Sequence, residues 1–168
     1  MAGGAQGHRE VERRFLVDAV PAEVEAAPAR ALRQGYLAGE DGVDVRVRDD
    51  AGTPWLTVKG GRGLARTEVE LALTADRFEA LWPLTDGRRV EKVRHTWPSP
   101  DGVEVELDVF GGPLAGLRIA EVEFPDEAAA SAWTPPPWMG VELTGVPGWS
   151  NAELARHGRP AAPPAAGA

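Results

Sequence analysis

Charged and apolar residues alternate along most of the strand-like segments of this chain. In VDVRVRD, residues 43–49, Asp44, Arg46 and Arg48 are separated by valines, and VEVELDVF, residues 103–110, repeats the pattern with acidic residues. Because successive side chains of a strand point to opposite faces, each segment predicts one apolar face and one charged face. The chain therefore has to form a sheet that buries one face and carries dense charge on the other.

Eight such segments, and the turn-like sequences between them, predict a mainly antiparallel sheet. Short connections rich in Gly, Asp and Pro, such as GEDG and SPDG, favour hairpins between neighbouring strands. Helices are predicted to be few, and Ser150 and Glu153 form a capping-box pattern at the start of one of them. The predicted strands cover residues 9–17, 31–38, 43–49, 54–59, 64–73, 89–97, 103–110 and 118–124, and the predicted helices cover residues 21–29, 74–84, 126–133 and 150–158.

The charges are grouped by sign along the strands, which is unusual for a face that only meets water. Acidic residues stand two apart at positions 10/12, 68/70, 104/106/108 and 121/123, and basic residues at 46/48 and 92/94. Like charges on the same face repel each other, so this arrangement costs free energy unless something binds between them. The sequence therefore predicts an α+β protein in which an antiparallel sheet curls into a barrel with a charged interior. A plain sheet whose charges are all solvated is the alternative.

A barrel interior lined by both signs of charge suits a phosphate compound and a metal ion. Arginine and lysine bind strings of phosphates, and clusters of carboxylates hold hard divalent cations that bridge to substrate phosphates. The chain has no cysteine, which excludes thiolate metal sites, disulfides and cysteine nucleophiles. Its net charge of −8 argues against a nucleic-acid partner.

The charged segments resemble the CYTH domain, or triphosphate tunnel metalloenzyme family, in order along nearly the whole chain. EVERR, residues 10–14, resembles the family's first-strand motif Glu-x-Glu-x-Lys, with Arg14 in place of the lysine. The resemblance continues through RQGYL, VRVR, LTVKG, RTEVE, EKVR, ELDVF and AEVEF to the closing segment TGVPGWSNAELA. It implies a closed eight-stranded antiparallel β-barrel, a tunnel with a few flanking helices, that binds triphosphate compounds with Mg²⁺ or Mn²⁺. Members of that family hydrolyse tripolyphosphate, thiamine triphosphate or RNA 5′-triphosphate ends, or cyclise ATP.

The resemblance also implies roles for individual residues. The metal ligands that it implies are Glu10, Glu12, Glu121 and Glu123. The phosphate-binding residues that it implies are Arg14, Arg46, Arg48, Lys59, Arg66, Lys92 and Arg94. The residues that it assigns to catalysis are Arg14, Glu68, Glu70 and Asp108. Glu104 and Glu106 share the parity of Asp108 but receive no role from the resemblance.

Arg14 leaves more than one activity open. Metal-dependent hydrolysis of tripolyphosphate is the first expectation, because charged walls offer little contact to a base or a sugar. An adenylyl cyclase that makes cyclic AMP from ATP, and a polyphosphate- or nucleotide-binding module without turnover, are the alternatives. They stay open because arginine binds phosphate well but cannot give up its proton as a lysine can.

The two ends of the chain are unlike its middle. Residues 1–7 predict a disordered leader, residues 8–157 a single tunnel domain, and the Pro- and Ala-rich residues 158–168 a disordered tail. Neither a signal peptide nor an apolar stretch long enough to cross a bilayer is visible, so a cytoplasmic protein without a membrane partner is expected. A monomer and a homodimer are equally compatible with the sequence.

Overall fold

A computed structural model describes residues 8–40, 42–61 and 65–162 of the chain, with side chains for all of these except residues 8–10, 65 and 66. The predicted leader and most of the predicted tail therefore lie outside the described residues. So do the side chains of Glu10 and Arg66, two of the predicted site residues. Among the described helices, none is long and apolar enough to span a membrane.

The described residues contain eight strands, which confirms the antiparallel sheet predicted from the alternating segments. Each predicted strand is found, with ends that shift by a few residues. The strands are β1 (His8–Leu16), β2 (Ala29–Glu40), β3 (Val43–Asp50), β4 (Thr53–Gly60), β5 (Ala65–Ala72), β6 (Arg89–Pro98), β7 (Glu104–Phe110) and β8 (Arg118–Phe124).

Hydrogen-bonded pairing curls the sheet until its first and last strands meet. The order is β1-β5-β4-β3-β2-β6-β7-β8, and β8 pairs with β1 again, so the ladder is a closed barrel. β1 divides its length between two neighbours: residues 8–11 pair with β5, and residues 11–16 pair with β8. Among the described residues, the β1–β5 seam has four residue pairs, fewer than any of the other seven ladders. The barrel wall is therefore continuous but is only narrowly joined at this seam.

The few predicted helices are present and are shorter than predicted. They are α1 (Ala22–Glu25), α2 (Ala75–Leu81), α3 (Glu127–Ala132) and α4 (Asn151–His157). The helix expected over 74–84 continues beyond Leu81 only as a 3₁₀ turn over Trp82–Thr85, because Pro83 has no N–H to extend the α-helical pattern. The capping box predicted at the start of α4 forms between Ser150 and Glu153.

Two apolar clusters hold the barrel from different sides. The first lies on the outer face of β1, β7 and β8, where Phe15, Val105 and Phe124 pack together with Met139 and Ala130 of α3. Its members alternate with the charged residues of the same strands. Burying this outer face turns the charged face toward the barrel interior.

The second cluster fills one end of the barrel interior. Tyr36, Phe110 and Ile119 have the same strand parity as the charged residues, and they pack against Trp149 and Leu154 of the C-terminal segment. The charged part of the interior is therefore bounded by an apolar floor at that end.

Candidate functional site

The inward-facing side chains enclose a cavity of about 490 Å³, which we call the charged cavity. Its carboxyl side chains are Glu12, Asp44, Asp50, Glu68, Glu70, Glu104, Glu106, Glu121 and Glu123. Its cationic side chains are Arg14, Arg30, Arg46, Arg48, Lys59, Lys92 and Arg94. The geometry contradicts the alternative of a plain sheet with solvated charges, since Arg46, Lys92 and Glu121 are each 8% exposed or less.

The charged cavity brings together most of the residues that the resemblance assigned. Glu10 and Arg66 are directly opposite each other in the pairing of β1 with β5, but their side chains lie outside the described part of the chain. Asp108 is absent from the cavity wall, as described below. The predicted residues that line the cavity are Glu12, Arg14, Arg46, Arg48, Lys59, Glu68, Glu70, Lys92, Arg94, Glu121 and Glu123.

Asp108 lies behind the cavity wall, where its side chain is completely buried. Its Oδ1 accepts a hydrogen bond of 2.7 Å from Nε of Arg94, and its Oδ2 accepts from Nη2 of Arg94, also at 2.7 Å, and from Nζ of Lys92. A carboxylate in this place holds the two cations at the wall and does not itself meet the cavity. Its contacts in this place are with Lys92 and Arg94, and the catalytic role that the resemblance implied stays a prediction of the sequence.

Arg94 is held by three carboxylates. Besides Asp108, its Nη2 donates to Oε2 of Glu121 at 2.5 Å, and its Nη1 donates to Oε2 of Glu106. Burial alone would lower the pKa of Arg94, but Asp108 and Glu121 more than offset burial and hold the pKa well above its ordinary value. Arg94 is therefore a permanent, well-oriented positive charge on the wall of the cavity.

Lys92 is a weaker base than an ordinary lysine. Its burial is the largest cause of its lowered pKa, and the neighbouring charge of Arg94 adds to it, although Asp108 acts in the opposite direction. Lys92 is thus the cation of this wall that most readily gives up a proton.

Arg14 has a donor that nothing in the described residues uses. Its Nε donates to Oε1 of Glu121 at 3.0 Å, and its Nη1 donates to the carbonyl of Trp149 at 2.8 Å. Its Nη2 is buried and has no hydrogen-bond partner among the described residues. A buried N–H without a partner is costly, so a ligand oxygen bound beside Arg14 would remove that cost.

Each carboxylate oxygen of Glu121 accepts a hydrogen bond from an arginine. Oε1 binds Arg14 and Oε2 binds Arg94. Burial raises the pKa of Glu121, but Lys92 and the two guanidinium groups outweigh it and lower the pKa far below its ordinary value. Glu121 therefore stays ionised and ties together two cations from opposite sides of β8.

The opposite wall repeats the arrangement with strands β3, β4 and β5. Lys59 Nζ lies 3.0 Å from Oε2 of Glu68, and Arg48 Nη2 donates to Oε1 of Glu70 at 3.0 Å. Arg46 Nη2 is 3.6 Å from Oε1 of Glu68. Nε of Arg48 is buried without a hydrogen-bond partner among the described residues, and burial together with Arg46 lowers the pKa of Arg48. On this wall, Arg48 therefore carries one N–H group that no described residue uses.

A divalent cation would find only part of its ligand set among the described side chains. Glu12 and Glu123 are directly opposite each other in the β1–β8 pairing, and both line the cavity. No group of three His, Asp or Glu side chains suitable for a metal ion occurs in the described part of the chain. The carboxylate pair fits a hard cation that takes oxygen ligands and keeps several waters, as Mg²⁺ does.

The residues of the cavity wall that sequence reasoning missed include Arg30, Gln34, Tyr36 and Asp50 on the strands, and Ser150 and Asn151 at the start of α4. Arg30 was missed because the predicted β2 began one residue after it, whereas the strand begins at Ala29. The other inward positions of β2 are uncharged, so charge alternation gave no signal there. Parity alone could have found Gln34 and Tyr36, which stand two apart and whose side chains are joined by a hydrogen bond of 3.1 Å.

Known proteins with similar sequences point to one family. The chain is 46% identical over 148 residues to an inorganic triphosphatase of Nitrosomonas europaea, and the match covers 87% of this chain and 96% of that protein. It is 35% identical over 151 residues to an inorganic triphosphatase of Acetivibrio thermocellus, with 89% and 94% covered. No family model matches the chain.

Solved structures agree with the sequence relatives. A crystal structure of an inorganic triphosphatase superposes with a TM-score of 0.68 and 42% identity, covering 88% of this chain and 94% of that chain. A Hippeastrum protein described as a candidate adenylyl cyclase with a dominant triphosphatase activity has a TM-score of 0.54 at 11% identity, over 73% of this chain and 82% of that one. That second likeness shows the fold alone. Because relatives that are 46% and 35% identical match along nearly their whole length, the chain belongs to the family of the inorganic triphosphatases.

Proposed function

We propose that this chain hydrolyses inorganic tripolyphosphate in the charged cavity with the help of a divalent cation. The observation that carries the proposal is the concentration of seven cationic side chains on the walls of one cavity of about 490 Å³. Two of them, Arg14 and Arg48, have buried N–H groups without a hydrogen-bond partner among the described residues. The relatives named inorganic triphosphatases support the same substrate.

The walls suit a small substrate that is charged along its whole length. Among the lining residues, few are apolar, and Leu32, Val122 and Ala152 stand among many charged side chains. A nucleoside would have to leave its base against charged groups, which desolvates them without replacing their partners. A linear chain of phosphates instead meets cations on both walls. The tunnel shape expected from the sequence is retained as part of this proposal.

The cationic side chains of the cavity account for the electrostatic part of catalysis. In the hydrolysis, a water oxygen bonds to a terminal phosphorus and the bridging P–O bond breaks. Pyrophosphate leaves with the bonding electrons as negative charge, the attacked group becomes orthophosphate, and the protons of the water pass to the two products or to solvent. Arg94 and Lys92 on one wall and Arg48 and Lys59 on the other are placed to stabilise that charge, which is the main catalytic contribution in phosphoryl transfer. Preorganised by their carboxylate partners, they need little rearrangement when the charge develops.

The metal ligands that we propose differ in one residue from those that the resemblance implied. Glu12 and Glu123 would hold the cation, together with Glu10 as the sequence predicts. When bound, Mg²⁺ or Mn²⁺ would polarise a phosphoryl oxygen and orient a water molecule. Both oxygens of Glu121 accept from guanidinium groups, so we assign Glu121 to positioning Arg14 and Arg94.

Arg14 binds phosphate in this proposal and transfers no proton. Burial opposes its charge, but Glu121 and Glu12 outweigh burial and raise the pKa of Arg14. A guanidinium that stays protonated can bind phosphate through its spare Nη2, but it cannot act as a general acid or base.

The remaining expectations stay predictions of the sequence. They are a single domain over residues 8–157, a cytoplasmic location, a monomer or homodimer, and the absence of nucleic-acid and membrane partners.

Phosphate release tests the proposal directly. The full-length protein is incubated with tripolyphosphate and with Mg²⁺, Mn²⁺ or neither, and phosphate and pyrophosphate are both measured. We expect equal amounts of the two products and no release without metal. Thiamine triphosphate and ATP serve as competing substrates, with cyclic AMP measured in the ATP reaction. If the protein binds tripolyphosphate but releases no phosphate with any metal, it is a binding module and not a hydrolase. If cyclic AMP forms from ATP, it is an adenylyl cyclase.

A further inference from the structure

Arg30 links four strands at the end of the charged cavity away from the apolar floor. Its Nε donates to Oδ1 of Asp50 on β3 at 2.9 Å, and its Nη1 donates to Oγ1 of Thr96 on β6 at 2.9 Å. Its Nη2 donates to Oε1 of Glu106 on β7 at 3.2 Å. Arg30 itself belongs to β2, so one guanidinium spans β3, β2, β6 and β7 on the inner side of the barrel.

Glu106 connects Arg30 to the cations of the cavity. One of its oxygens accepts from Arg30 and the other from Arg94. Glu106 has two acidic neighbours. Glu121 is directly opposite it in the β7–β8 pairing, and Glu104 is two residues away on the same face of β7. Without Arg30 on Oε1, repulsion from Glu121 and Glu104 would move the carboxylate of Glu106 away from Arg94.

We propose that Arg30 is a positioning residue of the hydrolase, which fixes the guanidinium of Arg94 by holding Glu106 in place. The proposal rests on the function proposed above, in which Arg94 stabilises charge on the substrate. Arg30 does not contact the reacting phosphate in this scheme. It acts through one carboxylate on the cation that does.

The geometry of Arg94 sets the size of the expected effect. Asp108 and Glu121 restrain Nε and Nη2, so that loss of Glu106 frees only Nη1. A partner that orients a functional group without touching substrate commonly affects activity by about 10–100-fold. Since two other carboxylates still hold Arg94, we expect a loss of kcat/KM of about tenfold at the low end of that range.

A double-mutant cycle tests whether Arg30 acts through Glu106. The variants Arg30→Gln, Glu106→Gln and the double variant are compared with the wild type by kcat/KM for tripolyphosphate. Each single variant is expected to lose about tenfold, mainly in kcat, and the double variant is expected to lose no more than Glu106→Gln alone, because the link is already broken. The coupling would then be about tenfold, or roughly 1.4 kcal/mol. Losses that multiply in the double variant would overturn the proposal.

Arg33 provides a matched control on the same strand. It also makes two ion pairs, with Asp49 at 3.0 Å and Glu79 at 2.7 Å, and its side chain is 39% exposed against 36% for Arg30. Its side chain lies outside the cavity, so Arg33→Gln should keep wild-type kcat/KM. Equal losses of activity in Arg33→Gln and Arg30→Gln would mean that Arg30 is merely structural, which contradicts the proposal.

The conservative variant Arg30→Lys gives a second readout. A lysine keeps a positive charge near Glu106 and should recover most of the kcat that Arg30→Gln loses. A variant that melts at the wild-type temperature but shows the same loss as Arg30→Gln would contradict an electrostatic hold on Glu106.

The outcomes separate this inference from the proposed function. A wild-type protein that neither binds nor hydrolyses tripolyphosphate removes both. If the wild type binds tripolyphosphate without hydrolysing it, the same double-mutant cycle is measured on the Kd for tripolyphosphate by calorimetry. Changes in Kd that multiply in the double variant would again overturn the role of Arg30. If the wild type is active and the two losses multiply, the hydrolase stands and only this inference fails.

Discussion

Arg94 lies directly opposite Asp108 in the β6–β7 pairing, and the buried carboxylate of Asp108 accepts two hydrogen bonds of 2.7 Å from the same guanidinium. Lys92 donates to the same carboxylate. One fully buried anion is therefore shared by two neighbouring cations of the cavity wall, and Glu106 and Glu121 provide further negative charge beside Arg94. This relationship makes the basic wall stable in the absence of a ligand.

Removing the charge of Asp108 is expected to destabilise the fold strongly. In Asp108→Asn, Lys92 and Arg94 lose their shared counter-charge while remaining buried, and breaking a buried ion pair costs roughly 3–5 kcal/mol. Urea unfolding followed by tryptophan fluorescence measures the change. Glu142→Gln is the control, because it breaks the partly exposed pair with Arg13 and should cost no more than about 1 kcal/mol. Comparable losses in the two variants would contradict the role of Asp108.

Substitution of Arg14 is expected to weaken the binding of tripolyphosphate strongly when the positive charge is lost and weakly when it is kept. Arg14→Ala removes both the charge and the spare Nη2 donor, so the Kd for tripolyphosphate should rise about 10–100-fold, since hydrogen bonds to charged groups contribute roughly 1.5–3 kcal/mol. Arg14→Lys introduces the lysine of the motif that residues 10–14 resemble and keeps the charge, so its Kd should stay within about tenfold of the wild type. Calorimetric titration measures both.

The neighbouring Arg13 is the control for Arg14. It points away from the cavity and pairs with Glu142 at 2.7 Å. Arg13→Lys should bind tripolyphosphate as the wild type does. Wild-type affinity in Arg14→Ala would show that Arg14 does not meet the substrate.

Glu121 is expected to give the fold a distinctive pH dependence. Burial raises its pKa, but Lys92, Arg94 and Arg14 lower it well below 4.5. A carboxyl with a depressed folded-state pKa stabilises the fold above its unfolded pKa, and this contribution is lost as the pH falls through the folded-state pKa. The difference in unfolding free energy between the wild type and Glu121→Gln should therefore be largest above about pH 5 and shrink below 4.5.

Urea unfolding at a series of pH values measures that difference. Glu23→Gln, an exposed substitution on α1, should follow the wild type throughout the range. A difference for Glu121→Gln that stays constant down to the acid-unfolding limit would contradict an ionised, cation-bound Glu121.

Removing one carboxylate of the proposed metal pair should weaken metal binding. Glu12→Gln leaves Glu123 without the acid opposite it, and the Mn²⁺ concentration for half-maximal activity should rise by about tenfold or more, because hard cations depend on charged oxygen ligands. A metal-dependent shift of the melting temperature gives the same information without turnover. Glu91→Gln, on the exposed outer side of β6, should leave both readouts unchanged.

Alternation along the chain was enough to predict the strands and most of the charged residues that line the cavity. In β3, Val45 and Val47 alternate with Arg46 and Arg48. Because side chains of a strand alternate between its faces, the valines and the arginines must lie on opposite faces whatever the rest of the chain does. The same argument failed in β2, where Gln34 and Tyr36 are uncharged at inward positions. It also could not distinguish Asp108, which has the parity of the cavity residues but lies buried behind two of them.

Which charges meet each other was decided by tertiary structure. The sequence by itself determined the strands, their two faces and the residue types that the interior would contain, because side-chain direction in a strand is a local property. The ion pairs Arg14–Glu121 and Arg30–Glu106 join residues 107 and 76 positions apart, and they exist only because the barrel order places β1 beside β8 and curls β2, β6 and β7 around one interior. Strand order and closure depend on the packing of the whole sheet, so no local pattern could assign these partners.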